Sequence, residues 1–243
     1  MTDLRLVIFD VDGTLVDSQA DILASMRAAF ASAGLEAPAR AEILSIVGLS
    51  LPLAIAELAP GIDPATRDAM VEAYKASYMG LRIEKGTPQS SPLYPNTREV
   101  LEALIDETGA GAVWWQRAYD PAAVERDTAV KAALKDRGTD VRSFAGHLLF
   151  ELFVSQQCAD DHPSKPHPAM IEAALSETAM PAHRAVMLGD TSFDMQMARA
   201  AGVTAIGVTW GYHDAARLRD AHHVIDDIRA LPALLEEIWE TTA

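Results

Sequence analysis

Two pairs of carboxylates stand where apolar runs end. In Leu6-Val7-Ile8-Phe9-Asp10-Val11-Asp12-Gly13-Thr14-Leu15, an apolar stretch delivers Asp10 and Asp12 to the tip of a buried strand, and Gly13 permits a tight turn behind them. In an open α/β sheet the carboxyl ends of the strands line the ligand crevice, and acids there are costly unless a cation or a reacting phosphate uses them. The second pair, Asp190 and Asp194 in Gly189-Asp190-Thr191-Ser192-Phe193-Asp194-Met195, follows the apolar residues 185–188 in the same manner. Its spacing lets both acids converge with Asp10 on a cation, and a few hard oxygen ligands suit Mg²⁺ with retained waters; the other reading of Asp194 is a helix N-cap. Lys165, in Ser164-Lys165-Pro166-His167-Pro168, is a cation on restricted backbone. Pro166 biases it away from helical geometry and pre-sets the start of the next helix, so the ammonium can be aimed at a phosphate and at Asp10.

These residues need a scaffold, and the hydrophobic pattern predicts one. Ser18 is placed to cap a helix whose apolar positions Ile22, Leu23, Met26 and Phe30 share one face, ended by Gly34. Helical pattern continues over 39–47, 51–58 and 64–81, and the loop 86–92 is the expected hinge, because beyond it helices and strands alternate. Asn96 and Glu99 form a capping-box signature for a helix carrying Val100, Leu101, Leu104 and Ile105. Strands are expected at 112–115, 141–144, 148–154, 185–188, 203–209 and 223–225, with helices from Asp120-Pro121 to Gly138, over 193–201 and around 234–239. The fold class is α/β, a doubly wound, mainly parallel Rossmann-like sheet with an inserted helical unit.

Composition bounds what such a protein does. With 243 residues, 49% of them apolar, the chain can bury one large core and a smaller appended one. A formal net charge of −15 argues against nucleic acid or an anionic membrane as partner. Cys158 alone excludes an intrachain disulfide and fits the cytoplasm; no leader, spanning run or repeat is read. Of seven histidines, His162, His167 and His213 could flank a pocket, but none has ligand spacing, and they are read as surface or loop residues.

The run FDVDGTLVDS, with KPHP and GDTSFDM, resembles the haloacid dehalogenase superfamily, in its phosphatase branch and nearest to phosphoglycolate phosphatase-type members. The resemblance implies Mg²⁺-dependent hydrolysis of a small phosphomonoester, with Asp10 as nucleophile, Asp12 as general acid/base, and Thr14 in the phosphate surroundings. It implies Lys165 as charge stabiliser and a metal site of Asp10, Asp190, the Asp12 main-chain carbonyl and a supporting Asp194. It further implies a core from 1–15 and 93–243 and a helical cap, 16–92, that covers the active site.

One motif departs from the pattern. In this family the strand after the cap ends in Thr or Ser, whose hydroxyl binds the phosphate, and here Gln116 occupies that place. The stretch 106–152, with WWQRAYDPAAVERDTAVKAALKDRG and VRSFAGHLLFE, instead resembles the N-terminal α/β domain of the photolyase/cryptochrome family, without that family's flavin-binding helical domain. Together the two resemblances imply an engineered chimera, a βαβ-type fragment of one doubly wound fold inside another, expected to keep its strands in the same sheet. They also imply weak or lost phosphatase activity. The competing class is a catalytically inactive scaffold. No flavin is expected, and oligomeric state is not read from the sequence.

Overall fold

The computed structural model describes residues 5–85, 91–108, 112–117, 140–145 and 162–241, with 105–108 and both middle strands described as backbone. Strand β1 (Leu6–Phe9) pairs in parallel with β4 (Ala185–Gly189), β4 with β5 (Thr204–Val208), and β5 with β6 (His223–Ile225), giving a four-stranded sheet in the order β1-β4-β5-β6. Side chains alternate across this sheet, so β4 can be apolar at every position and buried on both faces. Val186 and Leu188 enter one core with Ile206 and Val208, covered by α5 (Thr97–Thr108) through Val100 and Leu101 and by α8 (Leu231–Thr241) through Leu231 and Leu235. Ala185, Met187 and Ala205 face the opposite way. They pack with Met170 and Ile171 of α6 (Ala169–Thr178) and Met195, Met197 and Ala198 of α7 (Ser192–Ala200).

Between β1 and α5 lies a helical insert: α1 (Gln19–Ser32), α2 (Arg40–Ser45), α3 (Leu51–Leu58) and α4 (Pro64–Lys85). It has its own core, in which Ile22, Met26 and Phe30 of α1 meet Ile43, Ile55 and Met70. Lys85 on α4 also pairs with the fully buried Asp21 on α1 at 2.8 Å. The chain enters and leaves the insert as a short antiparallel ribbon. Tyr94 N–H donates to the Leu15 carbonyl at 3.0 Å and Asp17 N–H to Pro92 at 2.8 Å, around a Val16–Leu93 bridge.

Several sequence expectations shift. Ser18 stands at the N-cap of α1 but makes no side-chain cap; its hydroxyl meets the Tyr212 hydroxyl at 2.7 Å, a long-range contact that outcompetes the local one. Helix α4 runs past 81 to Lys85, and Arg82 and Lys85 in its last turn suit the negative end of the helix. Pro166 does not open α6, which begins three residues later, after Pro168. Strands β2 (Ala112–Arg117) and β3 (Asp140–Ala145) form a parallel pair in register along their whole length, with Gln116 opposite Phe144. Among the described residues that pair is a two-stranded sheet of its own, with neither strand paired to the four-stranded one, so the expectation of a single sheet is not met. The expected helix from 120 to 138 and the apolar run 148–154 lie outside the described residues. Among the described residues, no helix is long and apolar enough to cross a membrane.

Candidate active site

The register of the parallel sheet creates the site. Phe9 lies opposite Leu188, and Asp10 N–H extends the pairing by donating to the Leu188 carbonyl at 2.9 Å. Asp10 and Asp190 therefore leave adjacent strands side by side. Gly189 opposite Gly207 then brings the segment after β5 alongside, where Tyr212 N–H donates to Asp190 Oδ2 at 2.6 Å. Close approach demands glycine at three points. A methyl group on Gly13, which has φ 90°, or on Gly211 would run into the Asp190 carboxylate, and one on Gly189 into Asp194.

Lys165 ties the two acid pairs together. Its Nζ donates to Asp10 Oδ1 and to Asp194 Oδ1, each at 2.6 Å. The other oxygen of Asp194 accepts from Thr191 N–H at 3.0 Å and Thr191 Oγ at 2.6 Å, closing a capping box at the start of α7. Asp194 is therefore not the N-cap, which is Thr191; from the third position of the helix it caps backward with one oxygen and holds Lys165 with the other. Asp10 Oδ2 and Asp190 Oδ1 are left facing a single hydroxyl, Thr14 Oγ, at 3.4 Å each. A hydroxyl has one proton to give, so two carboxylate oxygens share one long donor. Asp12 adds a buried Oδ1 with no partner among the described residues.

The electrostatics follow from crowding acids away from water. Burial, more than any neighbour, pushes the Asp10 carboxyl up to about 6; Lys165 opposes the rise, and Asp194 and Asp12 add to it. Asp190 is driven well above the ordinary carboxylate range by burial, then by Asp10 and Asp194, against the opposing Tyr212 N–H and Lys165. For Lys165, burial alone would lower the ammonium, but Asp10 and Asp194 outweigh it and hold it above its usual value. Excess negative charge, with two oxygens turned to a common point, fits a divalent cation. Asp10, Asp190 and Asp194 each offer an oxygen within 4.8 Å of the others, and hard oxygens at such spacing are what Mg²⁺ takes.

The sequence-predicted residues Asp10, Asp12, Thr14, Lys165, Asp190 and Asp194 come from three stretches of the chain and meet here. The side chain of Gln116 lies outside the described residues. Aromatic groups border the cluster: Trp210 Nε1 donates to the Thr14 carbonyl at 3.0 Å, and Tyr74 and Tyr78 of α4 stack at 6.0 Å. Burial pushes the Tyr78 phenol up to about 12, with Asp12 contributing. His213 lies in a loop, as the sequence suggests, but not on the surface. It is 2% exposed and bonded at both ring nitrogens, because its loop runs beneath the helical insert. The signal available was position, directly after a Trp-Gly-Tyr run that a β4–β5 pairing must carry to the acids.

A doubly wound α/β sheet that gathers four aspartates and a lysine at the carboxyl ends of adjacent strands defines a class of hydrolase-like crevice. Residues 4–202 match the haloacid dehalogenase-like hydrolase family, and the chain belongs to it. Probable phosphatase IndB of Dickeya dadantii is 33% identical over 217 residues, 89% of this chain and 86% of its own. A phosphoglycolate phosphatase of Agrobacterium fabrum is 31% identical over 242 residues, 96% of this chain and 93% of its own. The fold also matches the crystal structure of a hydrolase from Pseudomonas syringae at a TM-score of 0.68 and 24% identity, over 97% of this chain and 99% of that one.

Proposed function

We propose that the chain is a Mg²⁺-dependent phosphomonoester hydrolase working through an aspartyl-phosphate, on a small phosphorylated metabolite of the phosphoglycolate kind. The observation that carries the reading is Lys165 held at 2.6 Å from Asp10, beside Asp10 and Asp190 oxygens that no strong donor satisfies. Asp10 attacks phosphorus, and the bond to the leaving oxygen breaks. Asp12 supplies the proton that this oxygen needs. Asp12 then takes a proton from water as the water attacks the acyl phosphate, releasing phosphate and restoring Asp10. Lys165 keeps Asp10 ionised and offsets charge on the phosphoryl group, and Asp194 holds Lys165. Asp10, Asp190 and the Asp12 carbonyl would hold Mg²⁺, which when bound would supply positive charge against a phosphoryl dianion. Thr14 and Gln116 border the phosphate, the helical insert 16–92 is the cap over 1–15 and 93–243, and the reaction belongs in the cytoplasm.

Gln116 makes this reading one of weak turnover, since an amide stands in the sequence where the family pattern has the short hydroxyl of Thr or Ser. It equally favours the second reading, an inactive chimeric scaffold with a photolyase-like segment at 106–152. The test is hydrolysis of an aryl phosphate and of phosphoglycolate under single-turnover conditions, with and without Mg²⁺. Mg²⁺-dependent release that Asp10→Asn removes supports the enzyme; no release, with Mg²⁺ binding that Asp190→Asn weakens, supports the scaffold.

A further inference from the structure

His213 has no part in that chemistry, yet it is built into the junction between the helical insert and the acids. Tyr212 N–H holds Asp190, and the next residue turns its ring into the interior, 2% exposed and 5.7 Å from the Phe193 ring. Ser192 is the first residue of α7, and its N–H, which the helix leaves without an internal partner, donates to His213 Nδ1 at 3.0 Å. Nε2 lies 3.1 Å from the carbonyl of Ser45, the last residue of α2 in the insert. A carbonyl only accepts and a backbone N–H only donates, so the ring is the neutral tautomer with its proton on Nε2. Burial and then Arg217 push the imidazole below its ordinary range, against the Ser45 carbonyl, Asp194 and Asp214.

The rest of the junction converges on the same turn. Arg217 Nη2 donates to the same Ser45 carbonyl at 3.2 Å, and Ser50 N–H donates to Ser164 Oγ at 2.7 Å, next to Lys165. Between them Gly48, at φ 104°, lies against core residues, so that a Cβ would sit 3.3 Å from both Phe193 Cδ2 and Thr191 Oγ. Residues 45–50 of the insert therefore touch the loop that carries Lys165 and the start of α7, which carries Asp194.

We infer that His213 is a positioning residue that fastens the 45–50 turn to the N-terminus of α7, so that seating the insert and fixing Asp194 with Lys165 are one event. Histidine suits the task because one rigid ring accepts at one edge and donates at the other. Asparagine at this position reproduces the acceptor near Nδ1 only, and glutamine the donor near Nε2 only. The catalytic consequence rests on the phosphatase reading; the fastening does not.

The experiment is amide hydrogen exchange on the full chain and on His213→Ala, His213→Asn and His213→Gln, with phosphoester hydrolysis measured beside it. In all three variants the 45–50 turn is expected to exchange about tenfold faster, the equivalent of one lost buried hydrogen bond, because asparagine frees the Ser45 end of the bridge and glutamine the Ser192 end. The value of kcat/KM should fall about tenfold in all three, in kcat more than in KM, because the substituted residue touches no substrate. Unchanged exchange over 45–50 in the asparagine variant overturns the inference, as does acceleration confined to 192–200 and cured by asparagine, which marks a purely local role. If the alanine variant does not fold, the asparagine and glutamine pair decides. A chain without hydrolytic activity overturns the phosphatase reading and leaves the exchange result to judge the fastening.

Discussion

At the residue scale, the site is a balance of buried charge. Between the ordinary Asp value of 3.8 and about 6, the folded protein binds a proton at Asp10 that the unfolded chain does not. Its contribution to stability is therefore full below the lower value and lost as pH rises through the upper one; Asp190 acts in the same direction. Metal-free protein should accordingly melt at a lower temperature at about pH 7 than at about pH 5. Asp10→Asn should show less of this decline, and Mg²⁺ should recover stability at the higher pH; calorimetric scans on chelator-treated protein check all three. Asp227, lowered to about 2 by Arg229, titrates below this window and does not confound it. Gly211→Ala drives a methyl group into the Asp190 carboxylate, an overpacking worth about 1–3 kcal/mol, and should also weaken Mg²⁺ binding measured by titration calorimetry. Asp10, Asp12, Lys165, Asp190 and Asp194 are legible in the sequence because each sits in a short motif whose spacing states its geometry. The Tyr212 amide on Asp190, the Thr14 hydroxyl between two carboxylates and His213 are not, since each depends on contacts across many residues of chain.

At the scale of elements, the parallel pairing of β1, β4 and β5 decides which loops meet. Their apolar runs are readable because strands covered on both faces need no alternation, and the two cores divide Val186 and Leu188 from Ala185 and Met187 as a period of two requires. Helix ends were less legible: Ser18 has every property of a cap, yet Tyr212 takes its hydroxyl. Nor could the sequence say that β2 and β3 pair with each other in a sheet of their own, because a strand's apolar pattern does not name its neighbour. Gln116 sits near the end of β2, opposite Phe144. Gln116→Thr restores a short hydroxyl and should raise the single-turnover rate by about a hundredfold if one aimed donor is what the strand lacks. No gain would shift the blame to the path of the 106–152 segment.

At the scale of the whole molecule, a net charge of −15 surrounds a site meant for an anion. Lys165 is already paired with two aspartates, so the long-range field repels a phosphomonoester dianion until it meets the bound cation. Raising ionic strength from about 0.01 to 0.15 M shortens the Debye length from about 30 to 8 Å and should increase kcat/KM, whereas a site steered by positive charge would lose rate. The measurement that reaches the central claim is chemical capture of the intermediate. Protein mixed with excess aryl phosphate and Mg²⁺ is quenched in acid and its peptides are weighed by mass spectrometry. The account predicts a phosphoryl adduct on the peptide containing Asp10, present in the wild-type chain and absent in Asp10→Asn; hydrolysis without that adduct, or an adduct that survives the substitution, would contradict it.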